Sequence, residues 1–253
     1  MATHSDEIQI PVAGERVAGT IMTPGSNIPG VLFVHGWGGA QSYDLSRARM
    51  IAGLGCVCLT FDLRGHGATQ EERQRVTRED NLLDLVSAYD RLVQHAAIDR
   101  RAIAVIGCSY GAYLATLLTT LRPVRWLALQ APALYRDTHW ALPKYELDPQ
   151  DLASYRRTSI TPAHNRALAA CEQFTGDVLV VESEHDELVP HATIMNYRAA
   201  FARSHSLTHR IIDGADHGLT SKQSQQAYAT ILTRWATEMI VGARTERAAS
   251  YLG

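Results

Sequence analysis

The chain has 253 residues, of which 46% are apolar and 20% are charged, so a sizeable core can form without disulfides or metals. Its 24 Lys and Arg residues nearly balance 26 Asp and Glu residues, and this balance argues against a nucleic-acid-binding surface. No apolar stretch approaches the roughly 18 residues that cross a bilayer, and the N-terminus lacks the pattern of a secretory signal. We therefore expect a cytoplasmic protein with no membrane and no nucleic-acid partner.

The predicted strands begin with an antiparallel hairpin, because apolar and other residues alternate in residues 8–12 and 16–21 around a short turn. Short apolar runs then alternate with longer segments of helical periodicity. This alternation is typical of an α/β fold, with a mostly parallel central sheet and helices on both faces. The runs predicted as strands are residues 31–34, 57–61, 102–106, 126–130, 178–182 and 209–212.

Helices are predicted between these strands, most clearly where apolar residues such as Leu82, Leu85 and Tyr89 recur at spacings of three and four. The predicted helices are residues 45–54, 82–93, 112–121, 193–201 and 228–240. Between residues 135 and 175 the alternation gives way to prolines, scattered aromatics and charges, which we interpret as a small lid insertion. We expect a single domain over residues 1–253, with an irregular tail from residue 242.

A tight turn with a central serine, Gly107-Cys108-Ser109-Tyr110-Gly111, joins the third of the parallel strands to a helix. Such a turn strains the backbone and needs small neighbours, because the serine Oγ must project freely from the sheet edge. The context of a strand before the turn and a helix after it predicts that Ser109 is a nucleophile. A serine that merely caps the helix is the alternative.

A serine hydroxyl needs a base that takes its proton and an acid that orients the base. Two later loops can supply both, since each follows a predicted strand and emerges at the carboxyl edge that carries the serine. The first loop holds the carboxylates Glu184, Asp186 and Glu187, and the second ends in Asp216-His217. Asp213 and Asp216 are too close to the histidine along the chain to reach its Nδ1, so the first loop is the better source of the acid.

Four blocks in chain order make the sequence resemble the α/β-hydrolase superfamily, and the resemblance covers nearly the whole chain. The blocks are His35-Gly36-Trp37-Gly38-Gly39, Asp62-Leu63-Arg64-Gly65-His66-Gly67, the turn at Ser109, and the acid and histidine loops. The resemblance implies that Ser109 is the nucleophile, Asp186 the acid and His217 the base. Glu184 and Glu187 remain competitors for the acid role.

The backbone N–H of Tyr110 directly follows the nucleophile and is one predicted donor to the oxyanion. By resemblance the second donor is the backbone N–H of Trp37, with Gly36 as the alternative. The side chains of Trp37 and of Trp140, in the lid, are candidate substrate-binding residues, although plain packing explains both equally well. The family motifs also imply that three residues hold these loops in place: His35, Asp62 and Arg64.

No cofactor and no metal are expected, because the sequence has no metal-ligand motif, no dinucleotide fingerprint and no phosphate loop. Cysteine is a nucleophile in some proteins of this fold, but Cys108 precedes the serine position and is predicted to pack. All four cysteines are expected to be free thiols.

The expected activity is that of a serine hydrolase that cleaves a small to medium carboxylic ester through an acyl-enzyme. An amidase, thioesterase, lactonase or acyltransferase would use the same three residues. A non-catalytic ligand-binding protein or scaffold on the same fold is the alternative from a different class. Because only 34 residues precede His35, a large propeller-bearing peptidase is not expected.

Overall fold

A single mixed sheet of eight strands forms the centre of the computed structural model, which describes residues 3–24 and 28–250. The strand order is β1-β2-β4-β3-β5-β6-β7-β8. The bounds are β1 Thr3–Val12, β2 Glu15–Pro24, β3 Ile28–Val34, β4 Val57–Phe61, β5 Ile98–Cys108, β6 Trp126–Gln130, β7 Asp177–His185 and β8 Ser206–Asp216. β1 pairs with β2 and β2 with β4 in antiparallel fashion, and all other neighbours are parallel. The predicted fold class is confirmed.

Helices cover both faces of the sheet. Their bounds are α1 Leu45–Gly53, α2 Arg78–Val93, α3 Tyr110–Leu118, α4 Pro149–Arg156, α5 Arg166–Gln173, α6 His191–Ala200 and α7 Lys222–Ser250. Helices α1 and α7 bury their apolar residues against one face, and α2, α3, α5 and α6 bury theirs against the other. The central strands are therefore covered on both sides, which explains why they are continuous apolar runs in the sequence.

Alternation along the strands divides the core into two layers. In β3, Leu32 and Val34 face the layer of α2 and α3, whereas Val31 and Phe33 face the layer of α1 and α7. Successive side chains of a strand point to opposite faces, so a single apolar run supplies both layers. Strand β5 lies near the middle of the sheet and ends at Cys108, which places the turn to α3 at the centre of the carboxyl edge.

The segment 135–175, expected to be a lid, contributes several buried residues to the core. Helix α5 lies on the crossover from β6 to β7 and buries Leu168 and Cys171 in the layer of α2 and α3. Tyr135 and Tyr155 are buried in the same layer. The sequence did not predict α4 or α5, since each is only eight residues long and lies in a stretch interrupted by prolines.

The C-terminal helix is longer than expected. The sequence predicted a helix over residues 228–240 and an irregular tail, whereas α7 begins at Lys222 and continues to Ser250. Its last turns consist largely of Ala, Arg and Glu, which have high helix propensity and need no apolar stripe to remain helical.

Candidate active site

The turn between β5 and α3 holds Ser109 in a strained conformation, with φ of 51° and ψ of −109°. A positive φ is uncommon for a residue with a side chain, and it is maintained here by close packing around the turn. A Cβ on Gly111 would overlap the carbonyl oxygens of Val34 and His35, and one on Gly107 would overlap the backbone of α3. Only glycine fits at these two positions, which is the physical reason for the motif.

Three predicted site residues meet at the carboxyl edge of the sheet. His217 Nε2 lies 2.9 Å from Ser109 Oγ, and His217 Nδ1 lies 2.7 Å from Asp186 Oδ2. The second oxygen of Asp186 accepts the N–H groups of Leu188 at 2.9 Å and Val189 at 2.7 Å, so the carboxylate is fixed on both sides. The Asp186 side chain is only 3% exposed, whereas that of His217 is 20% exposed and open to a ligand.

The competing carboxylates lie elsewhere. Glu184 accepts the Gly214 N–H at 2.6 Å, and this bond holds the histidine loop from its far side. Glu187 is exposed, and Asp216 accepts the Thr220 N–H at 2.8 Å. Asp186 is therefore the carboxylate that contacts the imidazole among the residues that the structure describes.

The loop after β3 forms a tight turn in which the Gly39 N–H donates to the Gly36 carbonyl at 2.9 Å. Gly38 has a φ of 79°, and its N–H donates to His66 Nε2 at 2.9 Å. The N–H of Trp37 has no acceptor within the described residues. The same holds for the N–H of Tyr110, which is in the first turn of α3 and has no helical partner. Two unoccupied donors thus lie on the two loops that flank Ser109.

Two buried histidines support this loop in their neutral form. His66 accepts the Gly38 N–H, and burial is the main cause that lowers the pKa of His66 to about 4. His35 donates from Nδ1 to the Gly36 carbonyl at 2.8 Å and accepts the Leu63 N–H at Nε2 at 3.1 Å, and burial lowers its pKa too. Each ring accepts a backbone N–H, so protonation of either one would break a bond that shapes the loop.

Asp62 and Arg64 occupy the positions that the sequence motif expected to hold these loops. Asp62 accepts the Gln41 N–H at 2.7 Å and thereby joins its own loop to the start of the α1 region. Arg64 donates to Asp84 of α2 at 2.6 Å, and this buried pair ties the loop to the helix layer. Removal of either partner of such a buried ion pair leaves the other charge uncompensated.

A cavity of about 680 Å³ opens at Ser109 and His217 and extends between α1 and the start of α7. Its walls combine apolar, aromatic and polar side chains. Those contributed from outside the three-residue cluster include Trp37, Tyr43, Asp44, Arg47, Met50, Gln130, Leu219, Gln225, Tyr228 and Ala229. Asp44 and Arg47 form an ion pair at 2.6 Å within this wall. The sequence offered no direct sign of the cavity, because its walls come from distant parts of the chain.

The two candidate substrate-binding tryptophans differ in placement. Trp37 lines the cavity and also packs edge-on against Tyr110, with ring centroids 5.5 Å apart. Trp140 is not among the described residues that line the cavity. Its ring lies 5.4 Å from the guanidinium of Arg78 and 4.3 Å from that of Arg166. These contacts favour the packing alternative for Trp140, and its role in substrate binding stays a prediction.

Cys108 is partly buried beside the turn and lies against Gln130, whose Oε1 accepts the thiol hydrogen at 2.7 Å. Burial raises the pKa of this thiol to about 12, so it remains protonated at neutral pH and is a poor nucleophile. Gln130 also accepts the Ser109 N–H at its carbonyl at 2.8 Å and donates from Nε2 to the His217 carbonyl at 3.4 Å. The sequence analysis missed Gln130, although a polar residue at the end of an apolar strand was a usable signal.

The described residues contain no group of three or more His, Cys, Asp or Glu side chains arranged to hold a metal ion. In the same part of the chain, no helix is both long and apolar enough to cross a bilayer.

The chain is similar to known proteins in sequence and in structure. An uncharacterised protein from Mycobacterium tuberculosis is 25% identical over 87% of this chain and 73% of its own length. A putative dienelactone hydrolase from Klebsiella pneumoniae has a TM-score of 0.70 at 16% identity, covering 93% of this chain and 99% of that one. A bacterial heroin esterase has a TM-score of 0.67 at 19% identity, and the match covers 94% of this chain and 84% of that one. At these identities the two structures show the α/β-hydrolase fold alone.

The sequence itself identifies the family. The profile of the prolyl oligopeptidase family, peptidase family S9, matches residues 41–242, which is most of the chain. This match begins before the strained serine turn and ends beyond the histidine loop, so it includes all three residues of the hydrogen-bonded cluster. The chain therefore belongs to the prolyl oligopeptidase family and is a hydrolase of the α/β fold.

Proposed function

We propose that this hydrolase is a serine esterase that cleaves a small to medium carboxylic ester with Ser109 as nucleophile, His217 as base and Asp186 as acid. One observation supports the proposal above all others: the continuous chain of short contacts from Ser109 Oγ through both imidazole nitrogens to the buried carboxylate. A serine, an imidazole and a carboxylate in this order are the requirements for nucleophilic acyl transfer.

In the proposed reaction, His217 Nε2 takes the hydroxyl proton while Ser109 Oγ attacks the ester carbonyl carbon. Asp186 holds the other imidazole nitrogen protonated and stabilises the imidazolium that forms. The tetrahedral intermediate collapses when the C–O bond to the alcohol breaks, and His217 returns the proton to the departing oxygen. A water molecule, deprotonated by His217, then attacks the acyl-enzyme and releases the carboxylic acid and Ser109.

The N–H groups of Trp37 and Tyr110 are the proposed donors to the oxyanion of both tetrahedral intermediates. They have no acceptor in the described residues, and they belong to the loops on either side of the nucleophile. A single preorganised donor of this kind contributes about 3 kcal/mol to transition-state stabilisation in comparable sites.

The cavity between α1 and α7 is the proposed site for the acyl group. Its volume of about 680 Å³ lies within the range typical of small-molecule sites. Met50, Leu219 and Tyr228 supply apolar surface, whereas Gln130 and the Asp44–Arg47 pair supply polar contacts. This mixture fits an acyl group of moderate size with some polarity better than a long lipid chain.

The proposal is tested by measuring hydrolysis of a panel of p-nitrophenyl esters by the wild-type protein and by two variants substituted at neighbouring positions. Ser109→Ala should reduce kcat/KM at least about 1000-fold, because it removes the attacking oxygen. Cys108→Ala is the matched control and should retain most of the activity, since its thiol stays protonated and bonds to Gln130. A wild-type protein that hydrolyses no ester, or a Ser109→Ala variant with full activity, would refute the proposal.

A further inference from the structure

Lys144 is a cation in an unusual environment. Its Nζ lies 4.6 Å from the ring centroid of Trp37, 5.5 Å from that of Tyr110 and 5.2 Å from that of Tyr135. The side chain is partly exposed, and no carboxylate in the described part of the chain pairs with it. Among the described residues, the charge is therefore stabilised by three aromatic rings and the Tyr135 hydroxyl and not by an acid.

Two of these rings belong to the residues that carry the proposed oxyanion donors. Trp37 follows β3 and Tyr110 follows β5, so the two donors belong to separate loops of the chain. Their rings also contact each other edge-on, with centroids 5.5 Å apart. A cation is attracted to the electron-rich faces of aromatic rings, and the attraction strengthens when water is excluded. One ammonium group thus attracts both loops.

The backbone anchors Lys144 in this position. Its N–H donates to the Val76 carbonyl at 2.9 Å, and Pro143 forms an isolated β-bridge with Thr77 just before α2. The backbone of Lys144 is therefore fixed at a position from which its side chain reaches the three rings.

The surroundings of Lys144 are costly for a positive charge. Burial is the main cause that lowers its pKa, Arg156 and Arg78 lower it further, and the Tyr135 hydroxyl acts in the opposite direction. If the side chain at this position only filled space, an uncharged residue of similar length would do so at a lower desolvation free energy. The desolvation cost is offset by the aromatic rings and the Tyr135 hydroxyl around the ammonium.

We propose that Lys144 is a positioning residue for the oxyanion hole, whose ammonium clamps the rings of Trp37 and Tyr110 and so orients their backbone N–H groups toward Ser109. The inference rests on the proposed hydrolase function. It also assigns a role to the segment 135–175 that differs from the expected lid, because this segment would support the site from the side opposite the cavity wall.

The kinetic test compares Lys144→Met, which keeps the length but removes the charge, with Lys144→Arg, which keeps the charge. Lys144→Met should lower kcat for p-nitrophenyl esters about tenfold or more with KM changed less than twofold, because oriented donors act in the transition state. Lys144→Arg should recover a large part of the loss. Arg166→Met is the matched control, since its guanidinium covers the Trp140 ring at 4.3 Å in the same segment.

A second readout is independent of turnover. In ¹H–¹⁵N spectra, Lys144→Met should shift the backbone amide signals of Trp37 and Tyr110, and Arg166→Met should leave them in place. Unmoved amide signals, or a Lys144→Met variant with kcat within twofold of the wild type, would overturn the inference. Absence of ester hydrolysis by the wild-type protein would instead refute the proposed function, and the amide signals would still decide the role of Lys144.

Discussion

His217 contacts both Ser109 and Asp186, so activity should be lost to a similar extent when any of the three residues is changed. His217→Ala should lower kcat about 1000-fold or more, comparable to the loss of Ser109, because no other base in the described part of the chain reaches the hydroxyl. Asp186→Asn should lower kcat by the same factor or a smaller one, since it leaves the imidazole in place but favours the wrong tautomer. Steady-state kinetics with one p-nitrophenyl ester measures both losses.

Glu187→Gln is the control for this series, because Glu187 is an exposed carboxylate one residue from Asp186. It should change kcat less than twofold. A large loss of kcat in Glu187→Gln or Glu184→Gln, together with full activity in Asp186→Asn, would show that the acid has been assigned to the wrong residue.

At the scale of single elements, the walls of the cavity come from α1 and α7, so substitutions there should control acyl selectivity. Ala229→Phe adds a ring to the cavity wall and should shift the preference toward shorter acyl chains. Trp140→Ala should instead lower the melting temperature and leave the preference unchanged, because its ring packs on Arg78 and Arg166. The ratio of kcat/KM for butyrate and acetate esters, with a melting curve for each variant, checks both. Altered selectivity in Trp140→Ala would instead support its predicted role as a substrate-binding residue.

The loop after β3 should be sensitive to acid. Burial lowers the pKa of His66 to about 4 from its ordinary value of 6.5, so the folded protein binds fewer protons than the unfolded chain between these values. The stability that neutral His66 contributes is complete above pH 6.5 and is lost as the pH falls toward 4. By linkage this loss is at most about 3 kcal/mol.

Chemical denaturation at pH 7, 5.5 and 4.5 measures the effect. His66→Phe keeps a ring against Trp37 but cannot titrate, so its stability should fall less steeply with acid than that of the wild type. Part of the pH dependence of the unfolding free energy should remain in the variant, because burial also lowers the pKa of His35. An equal pH dependence in the two proteins would exclude His66 as a source of the acid sensitivity.

At the scale of the whole molecule, much of the sheet could be predicted because its central strands are buried on both faces. Strands β4 and β6 have the predicted bounds, since every one of their residues is buried and the apolar run coincides with the strand. Strands β5 and β8 extend beyond their predictions because polar residues occupy their ends. The serine turn could also be predicted, since its strain and its glycines are local properties of five residues.

Other features depend on tertiary packing and could not be predicted. Helix α5 begins at an Asn165 side-chain cap and is only eight residues long, so its short apolar face is recognised only when it packs in the layer of α2 and α3. The cavity lies between α1 and α7 at the carboxyl edge, and Lys144 contacts Trp37 only in the folded chain. The sequence offers Trp140 of the segment 135–175 as a substrate-binding candidate with packing as an equal alternative, and Tyr135 and Tyr155 of the same segment lie in the core.

Covalent labelling with a fluorophosphonate, followed by intact-mass measurement and peptide mapping, tests the central claim most directly. The reagent reacts much faster with an activated serine than with other side chains, so the wild-type protein should gain one phosphonyl group, located on Ser109. Labelling should be absent in Ser109→Ala and greatly slowed in His217→Ala, because the imidazole activates the hydroxyl. A protein that stays unlabelled, or an adduct that persists in Ser109→Ala, would contradict the assignment of Ser109 as the nucleophile.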